Sequence, residues 1–107
     1  MQTDLQIALR GMARSEALEA RIRDDFAKLE LVHPRLTSCR VVVERVDKHH
    51  HQGGQFAVKV EARAPGHEEA VSTHHHHDDV YVAVRDAFDS VRRQLEDKLR
   101  RSRDTTR

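Results

Sequence analysis

The sequence predicts an α+β domain in the order β-α-β-β-β-α, a four-stranded mixed sheet with two helices packed on one face. Three observations lead there. Apolar residues alternate with polar ones in short segments, they recur at helical spacing in two longer ones, and turn formers separate the segments. With 107 residues and 37% hydrophobic content, the chain suffices for one two-layer core.

Residues 4 to 10 place Leu5, Ile7 and Leu9 on one side at period two, the pattern of a half-buried strand that Gly11 ends. Ser15 then occupies a helix N-cap position, with Glu16 and Glu19 in the first turn. Leu18, Ile22, Phe26 and Leu29 follow at helical spacing to about Leu31, ahead of Pro34, which cannot continue a helix. From Leu36 to Val46, Cys39, Val41 and Val43 alternate with Arg40, Val42 and Glu44, giving a second strand. Gly53-Gly54 marks a turn, and Phe56, Val58, Val60 and Ala62 alternate along a third strand from Gln55 to Arg63. Pro65-Gly66 turns the chain into a short fourth strand, about Glu68 to Thr73, whose weak alternation suits a sheet edge. Asp78 or Asp79 caps a long second helix, in which Val80, Val84, Phe88, Val91, Leu95 and Leu99 form one apolar stripe. Asp89 with Arg93, and Glu96 with Arg100, stand at the spacing of helical ion pairs. The domain is expected over residues 1–101, with 102–107 a disordered basic tail.

A right-handed crossover makes the first two strands parallel, and two tight turns make the last three an antiparallel meander. Each helix has a single apolar stripe, so both must cover the same sheet face and leave the other open. The histidine runs His49, His50, His51 and His74, His75, His76, His77 then fall near one end of the sheet, where the second helix begins.

Composition narrows the function classes. No apolar stretch approaches the ~20 residues of a membrane span, no secretion signal is recognisable at the N-terminus, and the single Cys39 has no internal disulfide partner. A cytoplasmic protein is expected. The 19 Lys and Arg balance 18 Asp and Glu, but the segment from Arg92 onward is rich in cations. Arginine dominates those cations, and its planar fork suits phosphate. Nucleic acid is therefore a candidate partner. Phe26, Phe56 and Phe88 all fall on core stripes, which leaves Tyr81 as the one ring for an outer surface. Recognition would thus run through phosphates and shape rather than base stacking.

Enzyme chemistry finds no support in the residue pattern. There is no Gly-rich phosphate loop, Cys39 lies on a strand without an activating neighbour, and the Glu68-Glu69 and Asp78-Asp79 pairs read as turn and cap residues. No cofactor and no small-molecule substrate are expected. The seven clustered histidines form at most a weak metal site, because consecutive residues on extended backbone point to opposite faces and no Cys joins them. Their second reading is a pH- or metal-sensing edge. A third reading is a homodimer through an exposed strand edge or the open sheet face.

Two stretches carry a family resemblance. Lys28-Leu29-Glu30-Leu31-Val32-His33-Pro34-Arg35-Leu36-Thr37-Ser38 before the Val-rich strand, and Asp79-Val80-Tyr81-Val82-Ala83-Val84 continuing to Asp89 and Arg93-Gln94-Leu95, resemble the ribosome hibernation-promoting factor and ribosome-associated inhibitor family. Its members are also called ribosomal subunit interface or sigma factor modulation proteins. The resemblance implies the same β-α-β-β-β-α fold and binding to the small ribosomal subunit and its 16S rRNA between head and body. A member there silences translation by occluding the tRNA and mRNA positions, without catalysis. On matching positions it implies rRNA contacts from Lys28 in the first helix and from Arg85, Arg92, Arg93, Lys98, Arg100 and Arg101 in the second. Ser90 and Leu31 depart from the basic residues many members carry there. The length resembles the short form, which either assists ribosome dimerisation or keeps single 70S particles inactive.

Overall fold

The computed structural model describes residues 4–46, 55–64 and 71–105, with side chains over 4–46, 55–64 and 75–101. The elements are β1 (Asp4–Arg10), α1 (Glu16–Val32), β2 (Ser38–Val46), β3 (Gln55–Arg63), β4 (Val71–His77) and α2 (Val80–Thr105). They form one sheet in the order β1-β2-β3-β4, with β1 parallel to β2 and the remaining pairs antiparallel. The expected α+β architecture is present, and the local chemistry accounts for its corners.

Gly11 closes β1 at φ 69°, a left-handed conformation that glycine adopts without strain, and a Cβ there would lie 3.2 Å from the Arg45 carbonyl oxygen. Ser15 caps α1 by accepting the Leu18 N–H at 3.2 Å. The helix ends at His33, whose N–H donates to the Leu29 carbonyl, and Pro34 prevents its extension. Asp79 caps α2, its Oδ1 accepting from the N–H groups of Tyr81 at 2.9 Å and Val82 at 3.4 Å. The first turn of α2 holds no acid of its own, so the favourable charge at this helix end resides in the cap.

Both helices cover one face. Leu18, Ile22, Phe26 and Leu29 of α1 and Val84, Phe88, Val91 and Leu95 of α2 are buried against Cys39, Val41, Val43, Val58, Val60 and Ala62. Register explains the match, since Leu5, Ile7 and Leu9 stand beside Cys39, Val41 and Val43, which in turn face Ala62, Val60 and Val58. The opposite face carries Arg10, Arg40, Glu44, Lys59 and Glu61 around a shallow depression. It is open to solvent among the described residues.

Three details differ from expectation. The fourth strand runs from Val71 to His77 rather than from about Glu68 to Thr73, so the second histidine run is part of the strand. Pairing with β3 decides this, because His74 to His77 stand opposite Lys59 to Phe56 and extend the ladder to the start of that strand. Helix α2 continues in its backbone to Thr105, across residues expected to fray. A helix of 26 residues is about 39 Å long and outruns a sheet whose strands span about 25–30 Å, so the apolar stripe stops being covered at Leu99, 40% exposed. Finally, Glu96 pairs with Arg92 at 3.3 Å while Arg100 turns to Asp97, in place of the Glu96–Arg100 register. The turns at Gly53-Gly54 and Pro65-Gly66 lie outside the described residues.

Candidate nucleic-acid interface

The helix layer determines where the predicted cations stand. At about 100° per residue, Arg85, Arg92, Arg93 and Arg100 fall within one arc of α2 about 100° wide, beside the buried stripe, whereas Lys98 and Arg101 lie outside it. The arc adjoins α1. Lys28, Arg85 and Arg92 line one groove between the two helices, floored by Leu29 and Phe88. Packing thus brings together cations that lie far apart in sequence. Arg93 and Arg100 extend the same side outward, and both are exposed.

The groove also holds two acids, Asp25 and Asp89. The Asp25 side chain is only 9% exposed and takes Arg21 Nε at 3.4 Å, while its Oδ2 accepts no hydrogen bond. Arg85 pairs with Asp86 at 3.5 Å and Arg92 with Glu96 at 3.3 Å, all of these side chains being at least 40% exposed. Such pairs are worth about 0–1 kcal/mol, so a phosphate oxygen can displace the carboxylate at little cost.

His33 stands at the C-terminal cap of α1. It is buried, its Nε2 has no hydrogen-bond partner, and loss of solvent lowers its pKa below the ordinary 6.5. Glu96 opposes that shift and Arg92 adds to it. The end of α1 is thereby coupled electrostatically to the α2 stretch that carries Arg92. Neither Asp25 nor His33 has a role that the sequence alone makes legible. Polar residues announce burial in no local pattern, and only the helical phase of Asp25, one turn before Leu29, hints at it.

The histidines are not brought into a metal site. His49, His50 and His51 lie outside the described residues, and His74 is placed only as backbone in β4. His76 stands on the opposite side of the strand from His75 and His77. His77 is engaged by the chain itself, since its Nδ1 lies 2.9 Å from the Asp79 N–H and 2.8 Å from Asp78 Oδ1. The neutral ring accepts the first, and a ring protonated at Nδ1 donates to the second. Among the described residues, no group of three or more His, Cys, Asp or Glu is placed to hold a metal ion.

Cys39 is buried at 2% exposure, and burial pushes its thiol up to about 12, so it packs as a small apolar residue rather than as a nucleophile. Tyr81 is exposed at the start of α2, as expected of the one outer ring. Among the described residues, no helix is long and apolar enough to cross a membrane.

Comparison with known proteins agrees with the fold. The chain superimposes on a ribosomal subunit interface protein from Coxiella burnetii with a TM-score of 0.68 at 16% identity, over 96% of this chain and 100% of that one. It superimposes on the N-terminal domain of Thermus thermophilus Protein Y with a TM-score of 0.68 at 20% identity, over 89% of this chain and 96% of that one. At these identities the likeness establishes the fold. No individually curated protein is similar enough to count as a match. The profile of one family, sigma 54 modulation protein / S30EA ribosomal protein, matches residues 5–103. With its sequence matched almost end to end and its fold shared with a ribosomal subunit interface protein, this chain belongs to the sigma 54 modulation protein / S30EA ribosomal protein family.

Proposed function

We propose that this chain is a ribosome-associated translation inhibitor of the cytoplasm. It binds the small subunit at the subunit interface, contacts 16S rRNA, and blocks the tRNA and mRNA positions by occupying them, so that inactive ribosomes are preserved. The family match over residues 5–103 carries this reading. The groove between α1 and α2 supplies a physical route, because Lys28, Arg85 and Arg92 converge there from two elements and Arg93 and Arg100 continue the surface. Lys98 and Arg101, on the far side of α2, would reach rRNA only if it wraps the protruding helix end. Contacts of this kind are made to phosphate, and they weaken as salt rises. The mechanism asks only for a rigid body of the right shape and charge, so it requires neither cofactor nor catalytic group.

Co-sedimentation of the purified protein with isolated small and large subunits, at two salt concentrations and with or without a chelator, tests this. Salt-sensitive binding to the small subunit that ignores the chelator supports the proposal. Failure to bind small subunits at low salt overturns it.

A further inference from the structure

We propose that β1 is a self-complementary docking edge through which two copies of this chain pair antiparallel, joining their sheets into one. Strand β1 is bonded to β2 on one side, and among the described residues nothing pairs with its other side. The phase of its backbone can be worked out. Asp4 stands beside Ser38 and its N–H donates to the Thr37 carbonyl, the parallel pattern in which Asp4, Gln6, Ala8 and Arg10 turn their backbone groups toward β2. The N–H and C=O groups of Leu5, Ile7 and Leu9 therefore point out from the sheet edge.

The sequence of that edge, Asp-Leu-Gln-Ile-Ala-Leu-Arg, is complementary to its own reverse. With a two-fold axis at Ile7, the second copy sets Ile7 against Ile7, Leu5 against Leu9, Gln6 against Ala8 and Asp4 against Arg10. The two patterns agree in phase. Leu5, Ile7 and Leu9, whose backbone groups point outward, become the hydrogen-bonded pairs. Asp4 and Arg10 become the closer non-hydrogen-bonded pair, where opposite charges interact best. A shift of two residues along the strand keeps the backbone phase but loses a charge pair at each end.

Side-chain placement fits the same partner. Leu5, Ile7 and Leu9 are only partly buried on the helix side, and Ile7, Leu9 and Met12 line a groove there that the Arg14–Glu19 ion pair borders. Pairing about Ile7 sets Leu5, Ile7 and Leu9 of the two copies side by side and so continues the apolar layer across the joint. The strand lacks the devices that usually blunt an edge, having no proline and no charge except at its two ends. Isologous closure leaves no further β1 edge exposed, so the product is a dimer rather than a fibre. The proposal is independent of ribosome binding, whose cations lie on the helices.

Sedimentation velocity across a protein concentration series, combined with amide hydrogen exchange resolved by residue, tests it. The expected result is a monomer–dimer equilibrium in which the Leu5, Ile7 and Leu9 amides become protected as dimer accumulates. Gln6 and Ala8, bonded within the sheet, stay protected throughout. Either single reversal, Asp4→Arg or Arg10→Asp, places like charges opposite each other at both ends and weakens dimerisation by about tenfold or more, and the double variant D4R/R10D restores it. Circular dichroism confirms that each variant is folded. A protein that stays monomeric at the highest concentration overturns the proposal. So does a dimer that leaves the Leu5, Ile7 and Leu9 amides exchanging fast, which would assign the contact to the open sheet face, or one in which the double variant fails to rescue the singles.

Discussion

Removing the groove cations together, as K28A/R85A/R92A, separates an electrostatic interface from one held by shape alone. Each cation that neutralises a phosphate contributes about 0.7–0.9 to the slope of log affinity against log salt, so the three account for a slope of about 2–3. Between about 50 and 200 mM salt, the wild-type protein should therefore lose about 15–60-fold more affinity than the triple variant. The fold should survive the change. Arg85 and Arg92 give up only solvent-exposed ion pairs with Asp86 and Glu96, worth about 0–1 kcal/mol each, and alanine is the strongest helix former. Titration of labelled protein with isolated small subunits over a salt series gives both slopes. The variant K98A/R101A, altered on the far side of α2, serves as comparison and should lower the slope by less per residue. A triple variant with unchanged slope, or one whose affinity falls equally at every salt concentration, would refute the assignment of the groove to phosphate.

Three further outcomes follow from local geometry. Gly11→Ala forces a side chain into a left-handed conformation 3.2 Å from the Arg45 carbonyl oxygen, and urea unfolding should show a loss of about 1–2 kcal/mol at unchanged m; a loss near zero would contradict the account of that turn. Asp79→Ala removes the cap of α2 and should cost about 1 kcal/mol by the same measurement, with Asp79→Ser or Asp79→Asn recovering most of it. His33 has a folded pKa below 6.5, so its contribution to stability is complete above that pH and is lost as pH falls from 6.5 toward the folded value, where the unfolded chain takes up the proton first. Stability measured from about pH 7.5 down to about pH 5 should therefore decline more steeply in the wild type than in His33→Gln, and parallel curves would show that His33 is not buried in its neutral form.

What could be read from the sequence was whatever the chain decides locally. Ser15 with Glu16 and Glu19, the period-two run of Leu5, Ile7 and Leu9, and the stripe through Val84, Phe88, Val91 and Leu95 each carry their own structural instruction, and each element lies where those patterns put it. The fourth strand was displaced because histidine signals strand weakly, and the ladder with β3 supplies what the local sequence lacks. Leu99 keeps the phase of the stripe yet stands exposed, since no periodicity reveals that the helix outlasts the sheet. The cations were legible as a set, but not their division. That Lys28 shares a groove with Arg85 and Arg92, while Lys98 and Arg101 face elsewhere on α2, depends on how the two helices pack. Asp25 and His33 were not legible for a related reason: Asp25 lines a groove with residues of α2, His33 lies within reach of the Glu96 and Arg92 charges, and a carboxylate or imidazole looks solvated until such neighbours are in place.

A protein that silences translation by occlusion must compete with the substrates of decoding for the same space. Competition on purified small subunits, with labelled initiator tRNA and mRNA bound first and the protein titrated in at low salt, tests it most directly. The account predicts that tRNA and mRNA are released in step with protein binding, and that a saturating excess of both weakens the apparent affinity of the protein. Simultaneous occupancy, with protein bound to subunits that retain tRNA and mRNA in full, would contradict it.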